Sequence, residues 1–237
     1  MLAELVEFLK KTGLQDASAE SRDKLQDILR ETATSISLRA AEEELLLLQP
    51  QPESRADFLR YSQQITLDPN SAHEQLLLSD RSRKVTYTWK KQPYYDHPER
   101  FTRNIQVVSR ESLAGRCYWE VERRGGVIYV AVTYKNISRG GRGKECVFGY
   151  NHKSWALFCD SNSLIFRHNK AQTLLSGPRS SRVGVYLDHT AGILSFYSVS
   201  ETMTLLHRVQ TTFTQPLHAG VFLYPFEGNS AEFLNPE

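Results

Sequence analysis

From Ile65 onward the chain never sustains a helical period. Short apolar or alternating runs recur about every ten residues, and Gly, Pro, Asn, Asp or Ser breaks most of the gaps between them. The runs span 85–89, 105–109, 117–122, 127–134, 146–150, 155–159, 164–168, 183–187, 193–199, 205–209, 219–224 and 231–234. So many short strands with regular turns leave few ways to bury an apolar face, and a two-sheet antiparallel β-sandwich is the fold they predict. No repeat of propeller type is present.

One hairpin is explicit. Val185 and Leu187 alternate with Gly184, Tyr186 and Asp188, and the apolar pattern resumes at Leu194, Phe196 and Val199. Between them stands Asp-His-Thr-Ala-Gly, in which Asp188 can bond nearby backbone and Gly192 tolerates positive φ.

The first 49 residues differ in texture. Leu2, Leu5, Val6 and Leu9 recur at helical spacing before Gly13, and Leu25, Ile28, Leu29 and Ile36 mark a second helix over about 21–37. The heptad pattern does not persist, so this is a helical, coiled-coil-like segment that braces the sandwich or mediates self-association. Residues 45–48 read as a short extended segment, ended by Pro50 and Pro52. Ser54 with Asp57 three residues on predicts a capped short helix within a 50–64 linker, carrying Phe58, Leu59 and Tyr61 toward the sandwich. Residues 1–65 hold 8 Lys+Arg against 12 Asp+Glu, and the remainder 21 against 15, within a net charge of +2. That split marks two segments of different kind but is too dilute for a nucleic-acid surface.

Run 45–48 is the longest purely apolar one, far short of the roughly 20 residues of a helical membrane span. Acids stand near the N-terminus where a secretion signal would carry basic residues, so a cytoplasmic chain without a membrane anchor is expected. Cys117, Cys146 and Cys159 are odd in number and widely spaced, which suits buried free thiols.

Three passages stand in order: Leu-Asp-Pro-Asn-Ser-Ala-His from Leu67, Gly-Arg-Cys-Tyr-Trp-Glu-Val-Glu from Gly115, and the 187–199 hairpin. Together they resemble a PRY-SPRY domain over about 65–235, with PRY over 65–115 and SPRY over 116–237. The passage from Pro50 to Ser62 and that from Thr202 to Phe213 resemble tripartite-motif (TRIM) proteins of the finTRIM and stonustoxin-like type. The resemblance implies a concanavalin-like sandwich that binds a protein partner through loops at one end. It implies the target-recognition part of a ubiquitin-ligase or innate-immunity protein. Three cysteines cannot supply the eight ligands of a RING, and no B-box pattern is present.

Catalytic readings are weak. Glu120 and Glu122 share a strand face and mimic a hydrolase pair, but acids on the outer face of a strand are far commoner. Asp188, His189 and Ser195 share a triad alphabet without its geometry. Cys146, His152, Cys159 and His168 lack metal-ligand spacing, and Lys144 is followed by Glu145 rather than a Walker Ser or Thr. No enzyme, metal, cofactor or nucleic acid is expected. The partner-binding candidates are Tyr94, Tyr95 and Arg100 on the 92–100 loop, with Trp155, Phe158, Phe166, Phe222 and Tyr224, half or more of which should be core. Exchanging Tyr95 and Arg100 for alanine is expected to abolish binding and leave stability unchanged. Alternatives are a lobe of a stonustoxin-like pore-forming assembly and a sugar- or nucleotide-processing enzyme.

Overall fold

The computed structural model describes residues 51–141 and 143–235, together with helical residues Arg30, Glu31, Thr32 and Thr34. Those four fall within the helix expected over 21–37; the remaining expectations for 1–49, including self-association and the extended segment at 45–48, lie outside the described residues. Residues Gln51–Glu237 form one compact unit.

That unit is the sandwich. One sheet has seven strands, in the order β1 (Leu76–Ser79), β2 (Lys84–Tyr87), β13 (Ser230–Phe233), β4 (Arg116–Arg124), β9 (Arg182–Asp188), β10 (Ile193–Val199) and β11 (Met203–Gln210). The other has six: β3 (Gln106–Val108), β12 (Leu217–Leu223), β5 (Ile128–Tyr134), β6 (Ser154–Cys159), β7 (Leu164–His168) and β8 (Ala171–Leu175). All named pairs are antiparallel. Because side chains alternate across a strand, Trp119, Val121, Val185 and Phe196 from one sheet meet Val130, Val132, Leu157 and Val221 from the other in a single core. The 188–192 turn forms as expected: the Asp188 carboxylate accepts from Ala191 N–H at 2.9 Å, and Gly192 has φ +71°.

The run at 146–150 is not a strand. A 3-10 turn, Lys144–Cys146, leads into an irregular segment whose Phe148 ring lies on Gly220. The Gln106 carboxamide takes the place of a ladder: it accepts from Phe148 N–H at 2.9 Å and donates to the Cys146 carbonyl at 2.8 Å. Strands β1 and β8 add to those expected. The three thiols are free and buried; burial pushes Cys117 up and Cys159 up to about 12.

The linker is part of the sandwich. Helix α1 (Arg55–Leu59) carries the expected capping box, Ser54 and Asp57 each bonding the other's backbone N–H at 3.2 Å. It lies on the outer face of the seven-stranded sheet. There Phe58 packs against Tyr118, Tyr186 and Tyr197, with ring centroids 5.4, 5.1 and 4.9 Å away. Gly184 makes room below: a Cβ on it would meet the Tyr118 hydroxyl at 2.7 Å. Strand β13 pairs with β4 only as far as Val121. Beside Tyr118 the strap takes its place, with Tyr118 N–H donating to the Tyr61 carbonyl and Gln63 N–H to the Tyr118 carbonyl, both at 2.8 Å. Farther along, Arg116 bonds the Tyr61 hydroxyl at 3.2 Å and the buried Asp188 carboxylate at 2.8 Å.

Candidate partner-binding face

The same alternation that fills the core sends every second residue of the six-stranded sheet outward. The pairing register aligns these residues into rows. One row runs across five strands: Phe222 opposite Tyr129, Tyr129 opposite Phe158, Phe158 opposite Ile165, and Ile165 opposite Leu174. Tyr129 is buried at its centre, edge-on to Phe158 at 5.3 Å and to Phe222 at 4.9 Å. Phe222, Phe158 and Ile165 are half-buried, and Leu174 is 74% exposed.

The neighbouring row is small: Gly220, Ala131 and Ala156, then Arg167 and Gln172. Small side chains leave a trough, and Phe148 fills it, edge-on to Phe101 at 5.7 Å. Arg139 closes this cover, its guanidinium 4.5 Å from the Phe101 ring and 2.9 Å from Glu99. Arg167 stands between cover and open row, within 4.9–5.3 Å of the rings of Phe158, Tyr150 and Tyr129. It donates to the Tyr129 hydroxyl, and its Nε has no hydrogen-bond partner among the described residues. The Lys144 ammonium lies 5.0 Å from the centre of the Tyr150 ring, completing an alternation of cations and rings. Arg167 and Lys144 give the face its positive charge, and burial pushes the Tyr129 phenol above its ordinary range.

The sequence candidates divide. Phe158 and Phe222 belong to the row, and Tyr224, 44% exposed, extends it with its ring 5.9 Å from Phe222. Tyr95, 91% exposed, stands free on its loop. Tyr94 and Arg100 are struts of that loop. The Tyr94 hydroxyl donates to the Leu76 carbonyl at 2.8 Å. The buried Arg100 donates to the carbonyls of Pro69, Ala72 and Tyr95 and lies over the Tyr94 ring. Its replacement by alanine would therefore strip three carbonyls and loosen the loop, contrary to the expectation of unchanged stability. Trp155 and Phe166 are in the inter-sheet core, Trp155 against Tyr134 and Phe213 and stacked on His168, Phe166 against Phe196 and His207.

Tyr129, Tyr150, Ile165, Arg167 and Leu174 were not singled out, nor were Trp89 and Phe226, which are 63% and 61% exposed. The phase of β5 and β6 carried a signal for the first of these: Tyr129 stands two residues from Ala131, and Phe158 two from Ala156, so all four share one face.

The acid pair is committed to structure. Glu120 is fully buried, held by Arg55 at 2.8 Å, Arg182 at 3.4 Å and the Tyr118 hydroxyl at 2.8 Å. Glu122 bonds Ser181 and Arg182. The expectation of acids on an outer face holds in topology but not in exposure, because α1 covers Glu120. Among the described residues there is no cluster of three or more His, Cys, Asp or Glu able to hold a metal, and no helix long and apolar enough to cross a membrane.

Comparison with known proteins agrees with the fold. The PRY family (SPRY-associated domain) matches residues 65–113 and the SPRY domain family residues 116–236. Tripartite motif-containing protein 16 of Mus musculus is 36% identical over 209 residues, 85% of this chain and 37% of that protein. Stonustoxin subunit beta of Synanceia horrida is 35% identical over 170 residues, 70% of this chain and 24% of that one. The chain thus spans well under half the length of these relatives. Among solved structures, stonustoxin superposes with a TM-score of 0.73 at 33% identity, covering 78% of this chain and 32% of that one. The crystal structure of the TRIM65 PSpry domain gives 0.70 at 26% identity, covering 79% of this chain and 100% of that one. The order of the two matched regions, the two sheets and these relatives lead to one assignment: the chain belongs to the PRY-SPRY family and is related to the C-terminal region of tripartite-motif proteins.

Proposed function

We propose that the chain is a non-enzymatic recognition module that captures a protein partner on the outer face of the six-stranded sheet and the loops beside it. The observation that carries this reading is the inequality of the two outer faces. The seven-stranded sheet is covered by the chain's own strap, with Phe58 and Arg55 as its anchors. The six-stranded sheet keeps a half-exposed apolar row bordered by Arg167 and extended by Tyr224, and Tyr95 stands exposed on the 92–100 loop. Aromatic and Arg side chains of this kind concentrate binding energy when a partner desolvates them.

In this reading the module supplies target recognition in the cytoplasm to a ubiquitin-ligase or innate-immunity protein of the tripartite-motif type. Wild type and a Tyr95→Ala/Tyr224→Ala variant would be compared in a cross-linking pull-down from the tissue of origin. Both residues are exposed, so the variant should melt with the wild type while recovery of the specific partner drops about tenfold or more. Undiminished recovery would remove these residues from the site.

The stonustoxin superposition supports a second reading, a lobe of a pore-forming assembly. Lysis of erythrocytes by the purified chain would favour it.

A further inference from the structure

We propose that β8 is a docking edge, to which a partner adds an extended, acid-flanked β-strand. The proposal deepens the recognition reading above and rests on it.

Each sheet must end somewhere, and an edge strand shows a row of unpaired N–H and C=O groups. Three of the four edges here are blunted. The PRY-side segment bonds β3 through Asp68 N–H to the Val108 carbonyl and His73 N–H to the Gln106 carbonyl. At β1, the Tyr94 hydroxyl caps the Leu76 carbonyl. Strand β11 carries His207 and Arg208, and its register against β10 breaks between Phe196 and Tyr197. Strand β8, Ala-Gln-Thr-Leu-Leu, has no charge and no proline, and its register against β7 is unbroken. Four of its five residues are exposed.

The hairpin fixes which groups face outward. Asn169 and Lys170 form a two-residue loop, both with positive φ (48° and 70°), the type I′ pattern that joins twisted strands. In such a hairpin the closing pair, His168 and Ala171, exchanges ladder bonds, and bonded pairs then alternate with non-bonded ones. Phe166 with Thr173 and Leu164 with Leu175 are therefore bonded pairs. Gln172 and Leu174 stand opposite Arg167 and Ile165 in non-bonded pairs, so their own N–H and C=O groups point away from β7. No backbone bond from elsewhere reaches them among the described residues.

These groups dictate the occupant's conformation, since two donors and two acceptors alternating along one edge are matched by an extended strand. The side chains dictate its chemistry. Leu174 ends the apolar row, so an added strand would continue that row with a large apolar residue of its own. Between Asp160 and Asp188 the chain carries Arg167, Lys170, Arg179 and Arg182 and no carboxylate. Arg182 is salt-bridged to Glu120 and Glu122, Arg179 lies within electrostatic reach of Asp160, and among the described residues Arg167 and Lys170 have no acid salt bridge. A second copy fits poorly: antiparallel pairing about Thr173 would bring Lys170 of one molecule to the end where the other carries Arg179. Acidic flanks on a foreign strand satisfy both ends.

The probe is the synthetic peptide acetyl-DEVTVTVED-amide, titrated into the full isotopically labelled chain and followed by NMR. The Gln172 and Leu174 amides should shift and exchange more slowly with solvent. The variant Leu174→Pro removes one outward donor while leaving the β7 ladder intact, because that N–H does not face β7. It should melt with the wild type and bind the peptide about tenfold more weakly. A peptide with lysine in place of each acid should also bind more weakly. The proposal is overturned by equal binding to Leu174→Pro, by shifts confined to other residues, by no shift at millimolar peptide, or by dimerisation that Leu174→Pro abolishes. Partner capture that survives Leu174→Pro while Tyr95→Ala/Tyr224→Ala abolishes it would sink the edge and leave the recognition reading standing.

Discussion

Replacing Phe58 with alanine should cost about 3–5 kcal/mol of unfolding free energy, the range for deleting a buried aromatic. For a domain of this size that corresponds to a fall in melting temperature of roughly 10 °C. Phe58 is 2% exposed and touches three tyrosines that line the outer face of the seven-stranded sheet. Those rings belong to central strands β4, β9 and β10, so the sheet cannot collapse into the space left behind. The cavity and the lost ring contacts then add. Denaturant unfolding of Phe58→Ala gives the test. A loss below about 1 kcal/mol would mean that residues 51–64 decorate the sandwich rather than belong to it.

Arg55→Met should cost about 3 kcal/mol, for an electrostatic reason. Glu120 has no access to water, and its charge is balanced by Arg55, Arg182 and the Tyr118 hydroxyl. Without Arg55 the carboxylate keeps one cation at 3.4 Å, farther than the one removed. The second variant makes the cause visible: adding Glu120→Gln removes the stranded charge and should recover more than half of the loss. A double-mutant cycle in urea measures this. Additive losses would show that Arg55 stabilises through its aliphatic stem and not through the ion pair.

The sandwich was legible because its signal is repetitive: period-two apolar runs and turn residues recur along the chain. The short helix and its contact with the sheet were also legible, since Ser54, Asp57 and Phe58 are local cap-and-anchor chemistry. Where the reading failed, non-local contacts decided. The 146–150 run has strand composition, but Gln106, distant in sequence, satisfies its backbone and Gly220 admits its Phe148 ring. Strand β8 was overlooked because it buries almost nothing and so shows no apolar alternation. Arg100 looked like a recognition residue because its carbonyl partners at Pro69 and Ala72 lie about thirty residues upstream. The row from Phe222 to Leu174 exists only through register, which no single strand encodes.

Strand β13 stops short, and the strap completes the sheet beside Tyr118. The PRY family match begins at residue 65, whereas the compact unit begins at Gln51. A boundary drawn at the first residue of that match would cut away a supporting wall: it would bare three tyrosines and strand a carboxylate while leaving both matched regions in place. Changes in residues 51–64 therefore reach the sandwich through the tyrosines and the carboxylate that this segment covers.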